Sequence, residues 1–334
     1  MFQRILVPLD GSPLAEQALP IAARIARATG GTVVLLHVAH LHVEYGPYLA
    51  QAPSFSEVVL QEELAHAESY LARVASANDF VGIKTERETI FGIPAQAILT
   101  FAHIRKVDLI VMCSHGYTGF KRWTVGSVAR KIVQQSAAPF LLLREGSPTS
   151  EKLLTGAVHS LRAVVALDGS SFAEASLEPV AQLVAALSAP LQGQLHLVRI
   201  VKFPHEQEYT LHDAELQERA VYEATVYLGA LESELHAALA AELGVKITYS
   251  VVASEDVADA LIRTAELGDD AGTFQACDLL ALATHGRSGL ERWMLGSVMK
   301  RVLDGTKLPL LIVRPQEQHT RATLEPKEMA AVGS

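Results

Sequence analysis

The sequence predicts an α/β fold made of two tandem five-stranded parallel-sheet α/β sandwiches, and three observations carry that prediction. Landmark segments recur in the same order in both halves of the 334 residues, which marks a duplicated unit. Within each half, short apolar runs alternate with segments of helical period, the pattern of βαβ units and a sheet covered on both faces. At about 150 residues per domain, the length accommodates two domains with little to spare.

The repeat is legible residue by residue. Arg4-Ile-Leu-Val-Pro-Leu-Asp-Gly-Ser12 matches Arg162-Ala-Val-Val-Ala-Leu-Asp-Gly-Ser170, and Ala15-Glu16 matches Ala173-Glu174. Val107 to Gly116 corresponds to Cys277 to Gly286, and Arg122-Trp-Thr-Val-Gly-Ser-Val128 to Arg292-Trp-Met-Leu-Gly-Ser-Val298. Both halves close on a Pro-led apolar run, from Pro139 and from Pro309. A Gly/Ser/Pro/Thr cluster separates them, so the domains are expected at 1–146 and 160–316, with a linker at 147–159 and a polar tail at 317–334.

Taken in order, Ile5 to Leu9 reads as a fully buried strand. The segment from Leu14 carries Leu14, Ala18, Ile21, Ile25 and Ala28 near a 3.6 period and stops at Gly30-Gly31, an amphipathic helix. Pro20, like Pro179 in the second half, predicts a kink or a late helix start. Strands follow at Thr32 to Val38 and Gly82 to Phe91. A helix from about Pro94 to Arg105 leads to a strand at Leu109 to Cys113. A last helix from Ser127 leads to a strand at Phe140 to Leu143. The variable stretches His40 to Ala77 and Lys202 to Leu243 carry long helical patterns, and residues 267–274 add an elaboration to the second half. The apolar last strands predict that the halves pair edge to edge as a pseudo-two-fold unit, because an exposed hydrophobic edge is a liability.

Composition narrows the function. Hydrophobic residues make up 49% and charged residues 19% of the chain, enough for sizeable cores. Lys and Arg number 28 against 37 Asp and Glu, a formal charge of −9, the opposite of what coats a phosphate backbone; nucleic acid is not the expected partner. Apolar runs fall short of the roughly 18 residues of a membrane span, and the first residues lack the apolar core of a signal peptide, so no membrane association is expected. The two cysteines, Cys113 and Cys277, allow neither a disulfide framework nor a Cys-based zinc site. A reducing cytoplasm is the expected location.

In an open α/β sheet, ligands bind beyond the carboxyl ends of the strands where strand order reverses. Two elements meet there in each half. One is the aspartate after the first strand, Asp10 or Asp168. The other is the loop after the fourth strand, from Ser114-His-Gly116 to Gly126-Ser127, or from Thr284-His-Gly286 to Gly296-Ser297. Nine residues separate the glycines in both copies, and the second glycine opens a helix. Glycine admits close approach of a ligand, and a helix N-terminus offers free N–H groups to an anion. Ser127 and Ser297 either cap that helix or donate a hydroxyl to a phosphate oxygen. Occurring twice in register, the combination points to an anion or nucleotide site.

These motifs resemble the universal stress protein family, in its tandem form. The family signature is similar to Gly, two residues, Gly, nine residues, Gly and then Ser or Thr. This chain departs from it at the first glycine, replaced by Cys113 and Ala283. The resemblance implies an adenine nucleotide alpha hydrolase-like, Rossmann-like fold, ATP as ligand, and magnesium or manganese beside the phosphates. It also implies site residues. Pro8, Asp10 and Val38, with Ala166, Asp168 and Ile200, would border adenine and ribose. Met112, Cys113, Gly116, Gly126, Ser127 and Val128, with Leu282, Ala283, Gly286, Gly296, Ser297 and Val298, would hold ribose and phosphates. A homodimer of the whole chain and an unidentified protein partner belong to the same expectation.

Other residues have competing readings. His115 and His285 either touch the ligand or satisfy local loop backbone. His37, His40 and His42 suggest a metal, yet no third ligand stands at a recognised spacing. Cys113 reads as a redox thiol or as a small buried residue standing in for glycine. Lys121, Arg122, Arg287 and Arg292 either neutralise phosphate or form a solvated face, and Trp123 and Trp293 read as packing. A serine hydrolase lacks its G-x-S-x-G elbow and a kinase its phosphate loop. With no obvious general base, turnover of ATP is expected to be slow at most. A nucleotide-free scaffold and a slow ATP hydrolase are the alternatives.

Overall fold

A computed structural model describes residues 2–39, 53–114, 125–147, 151–152, 159–203, 211–268, 274–284 and 295–314. The first half runs β1 (Arg4–Leu9), α1 (Pro13–Glu16), α2 (Ala18–Thr29), β2 (Thr32–Ala39), α3 (Pro53–Ala75), β3 (Thr85–Phe91), α4 (Pro94–Ile104), β4 (Leu109–Cys113), α5 (Ser127–Gln135) and β5 (Phe140–Leu143). The second runs β6 (Arg162–Ala166), α6 (Ser171–Glu174), α7 (Leu177–Ser188), β7 (Gly193–Lys202), α8 (Leu211–Leu235), β8 (Val245–Ser254), α9 (Val257–Leu267), β9 (Leu279–Ala283), α10 (Ser297–Gly305) and β10 (Leu310–Val313).

The strands form one ten-stranded sheet in the order β3-β2-β1-β4-β5-β10-β9-β6-β7-β8. Every pairing is parallel except β5 with β10, which run antiparallel with Leu141 opposite Leu311. The residues of these strands alternate between two core layers. Ile5, Val7, Leu109 and Val111 face Ile21 and Ile25 of α2, and Val165 and Ala281 share that layer with Val180 and Val184 of α7. Leu6, Ile110 and Leu142 face Ile98 of α4 and Ile132 of α5, and Val164, Leu280 and Leu310 share theirs with Leu261 and Val302. Burial on both faces explains why β1, β4 and β5 read as unbroken apolar runs.

The predicted first helix divides at Gln17, and its copy at Ala175-Ser176. In a continuous helix the backbone nitrogen of Pro20 would have to donate to Glu16, and that of Pro179 to Ala175. Proline has no N–H to donate, so α2 and α7 restart and place each proline in the first turn, where no donor is needed. Strand β3 begins at Thr85 rather than Gly82, because Gly82 turns the chain at φ 77°. Asp108 anchors the start of β4 to β1 by accepting from the N–H groups of Gln3 at 2.7 Å and Arg4 at 3.1 Å. Asp278 repeats the device on Arg162 at 2.9 Å.

The seam between the halves is fixed by two arginines that exchange sides. Arg144, just after β5, is buried and donates to the Leu303 carbonyl in the last turn of α10. Arg314, just after β10, donates to the Gln134 carbonyl in the last turn of α5 at 2.6 Å. Each half thus caps the C-terminal carbonyls of the other's last helix, where a cation also meets the negative end of the dipole. Asp304 offsets part of the cost of burying Arg144. Replacing Arg144 with methionine is expected to lower stability by about 2 kcal/mol, the size of a lost hydrogen bond to a charged donor. The half-buried Arg314→Met should cost less, and urea unfolding of both variants checks the order.

Candidate functional site

The order of each half reverses at its first strand, since β1 lies between β2 and β4, and β6 between β7 and β9. The loops leaving β1 and β4, and those leaving β6 and β9, therefore meet beyond the carboxyl ends of the sheet. Asp10 and Asp168 are held there in the same way. The Oδ1 of each accepts from the N–H at 3.0 Å and the hydroxyl at 2.6 Å of the serine two residues on, Ser12 and Ser170. Those serine oxygens cap α1 and α6, accepting from Ala15 and Ala173 at 3.1 and 3.2 Å. Gly11 and Gly169 make the turn at φ 84° and 83°, a conformation open to glycine at little cost.

On the other side of each site, a glycine ties the last helix to the strand before it. Gly126 donates to the Ser114 carbonyl at 2.8 Å, and Gly296 to that of Thr284 at 3.5 Å. These glycines are the N-caps of α5 and α10, with no side-chain cap. Ser127 and Ser297 are thus the first helical residues and do not cap, which corrects half of the sequence reading. The N–H groups of the first turn, from Ser127 and from Ser297, have no partner within their helix and point beyond the strand ends.

In the second half these parts enclose a cavity of about 280 Å³. Ala166, Asp168, Ile200, Leu282, Ala283, Gly296, Ser297 and Val298 all line it. Its remaining wall, which the sequence reading missed, comes chiefly from Val257 and Leu261 of α9, with Val198 and Met299. The i, i+4 spacing of Val257 and Leu261 was the available signal. Among the described residues Asp168 is the one charged residue in this lining, so the cavity combines apolar walls with a carboxylate and the N-terminus of a helix. In the first half, Val38, Met112 and Val128 occupy the matching layer beside Leu6 and Ile110. Cys113 ends β4 as Ala283 ends β9, and Pro8, one residue before the end of β1, matches Ala166 at the end of β6.

Gly116, Gly286, His115, His285, His40, His42, Lys121, Arg122, Arg287, Arg292, Trp123 and Trp293 lie outside the described residues. His37 faces away from Val38, edge-on to the Tyr70 ring at 5.8 Å. Among the described residues no group of three His, Cys, Asp or Glu side chains forms a metal cage, and no helix is long and apolar enough to cross a membrane.

Comparison with known proteins agrees with this architecture. The sequence profile described as the universal stress protein family matches residues 1–144 and 159–314. A universal stress protein of Methanocaldococcus jannaschii is 30% identical over 146 residues, 43% of this chain and 84% of its own length. One from Synechocystis is 23% identical over 328 residues, covering 93% of this chain and 100% of its own. The crystal structure of a universal stress protein from Archaeoglobus fulgidus superposes with a TM-score of 0.65 at 20% identity, covering 93% of this chain and 98% of that one.

Cys113, at the wall of the first site, is buried, and burial first, then the charges of Asp10 and Glu145, push its thiol up to about 12. Burial and Asp278 push Cys277 up as well. At pH 8 the thiolate fraction of Cys113 should be roughly three orders of magnitude below that of an ordinary thiol of pKa near 8.5. The folded protein is expected to react slowly with an aromatic disulfide at pH 8 and to release both thiols on unfolding in urea; a fast-reacting thiol in the folded state would contradict this.

Proposed function

The chain belongs to the universal stress protein family, with two of its domains in tandem, and from that premise we propose that it binds ATP at the strand ends of one or both halves and acts as a nucleotide-dependent regulator of a stress response. One observation carries the proposal. Gly296 sits at φ −55° and ψ 151°, open to any residue. Among the described residues, a Cβ added there would meet nothing closer than the Thr284 carbonyl at 3.8 Å. Neither backbone strain nor packing against the described residues calls for glycine, and as an N-cap glycine ranks slightly below Ser, Asp and Asn, which add a side-chain acceptor. A bare backbone is useful at this point for the close approach of a ligand to the first N–H groups of α10.

The apolar slot suits a flat base, with Asp168 as an acceptor for ribose or base donors and the helix N-terminus for the phosphates. In a chain of net charge −9, the attraction for a triphosphate must be local. A divalent cation would enter with the triphosphate, since magnesium sites often combine one carboxylate with substrate phosphates. Two buried reduced thiols suit a cytoplasmic protein. Among the described residues of the pocket lining the one ionisable side chain is Asp168, which the Ser170 N–H and hydroxyl already engage, and this supports regulation through occupancy over turnover. The same reading leaves room for a homodimer of the whole chain and for a protein partner that senses the bound nucleotide.

Denaturing the purified protein and assaying the supernatant should release adenine nucleotide, and ATP titration by calorimetry should show heat. Gly296→Asn keeps a good N-cap and should leave stability within about 0.5 kcal/mol, while removing binding at the second site. Adding Gly126→Asn should remove what remains. A double variant that binds ATP normally would place the site elsewhere, and wild-type protein with neither nucleotide nor heat would favour the scaffold.

A further inference from the structure

The two halves hold the same carboxylate–tyrosine–arginine cluster behind their aspartate loops, but the arginine comes from different elements. In the first half Tyr70 of α3 lies beside Glu16, and Arg73, one turn on, stacks over its ring at 5.2 Å and pairs with Glu16 at 2.8 Å. In the second half Tyr227 of α8 donates to Glu174 at 2.8 Å. The position matching Arg73 is Ala230, and the cation over the ring, at 5.3 Å, is Arg199 of β7. Arg199 in turn occupies the strand position that His37 holds in the first half. The halves therefore differ at two matched positions so that the arginine over the tyrosine comes from the helix in the first and from the strand in the second.

The difference changes what stands behind the loop. A Cβ added at Gly169 would meet the Arg199 guanidinium, with Nη1 at 3.0 Å and Cζ at 3.2 Å, whereas one added at Gly11 would meet nothing within 4 Å among the described residues. The loops are otherwise alike, with the same positive φ and the same aspartate–serine hydrogen bonds. Arg199 is itself held, by the Tyr227 ring that Glu174 orients.

We propose that Arg199 is a positioning residue that pins the Asp168-Gly169 turn from behind, making the second-half site the tighter of two unequal nucleotide sites. The inference rests on the nucleotide reading above. Arg199 lies on the sheet face opposite Val198 and Ile200, which line the cavity, so it acts through the turn and not on the ligand. A turn already held in place loses less freedom when a ligand docks; at about 0.5–1.5 kcal/mol for ordering such a group, the difference is about two- to tenfold in affinity. The first site, with no described side chain against Gly11, bears that ordering cost at binding.

The test has a ligand-free arm and a ligand arm, both on the full chain. Without nucleotide, amide hydrogen exchange at Ser170 should be slower than at Ser12, about two- to tenfold on the same estimate, and Arg199→Ala should remove the difference while Arg199→Lys restores part of it. With ATP, the Gly126→Asn background reads the second site and Gly296→Asn the first. The second should bind about two- to tenfold more tightly, Arg199→Ala should erase that margin, and His37→Arg with Arg73→Ala should raise the affinity of the first. A merely structural role for Arg199 predicts no gain from that graft. Equal exchange at the two serines, or second-site affinity unchanged by Arg199→Ala, overturns the proposal. Exchange asymmetry that depends on Arg199 in a protein that binds no adenine nucleotide would keep the pinned turn and discard the nucleotide reading.

Discussion

The antiparallel pairing of β5 with β10 is the constraint on which the rest of the molecule depends. Phe140 to Leu143 and Leu310 to Val313 are buried along their whole lengths. Either strand left at an open edge would expose an apolar ladder with unpaired backbone groups. Joining them makes one sheet of two, brings α2 against α7, and carries the inner core layer across the seam. Arg144 and Arg314 then lock the pairing by capping each other's helices. Because the halves meet antiparallel, their strand ends point in opposite directions, so the two sites open at opposite edges of the sheet and one small ligand cannot bridge them.

That geometry leaves each site to assemble from its own half, and the parts are mostly main chain. The aspartate loop is shaped by a glycine with positive φ and a serine that both caps a helix and holds the carboxylate. The opposite wall is a glycine N-cap tied to the strand before it. Side chains supply the apolar slot, with Val257 and Leu261 closing it in the second half.

Much of this was legible in the sequence because the informative features were local. Buried strands read as unbroken apolar runs, and the limits of β4 and β5 coincide with those runs. Eight residues expected in the second site line one cavity, because a repeat in register marks which loops must meet. What escaped depended on orientation or on backbone detail. The divided first helix followed from a single missing N–H at Pro20. Of the two readings of Ser127 and Ser297, cap or phosphate-facing hydroxyl, the cap does not hold, and only the backbone shows that the preceding glycine occupies that position. Arg199 carried no signal at all, since its place behind Gly169 depends on which face of β7 it occupies and on a tyrosine 28 positions away in the chain.

Duplication within one chain has a physical consequence that assembly from identical subunits lacks. In a symmetric homodimer every substitution appears twice, so the two sites remain equal. A tandem chain changes one copy at a time, provided the seam keeps its complementary strands and an arginine on each side. The halves have used that freedom. Glu266 of α9 accepts from the Thr306 hydroxyl at 2.9 Å and the Lys307 N–H at 2.6 Å. At the matching positions of the first half stand His103 and Ser136, and the serine hydroxyl turns instead to the Ala138 carbonyl at 2.8 Å. Cys113 stands where Ala283 does, and Pro8 where Ala166 does. The arginine found on α3 in one half and on β7 in the other belongs to this set, and it acts on a site from behind the aspartate turn, where a difference between the copies becomes a difference between the two sites.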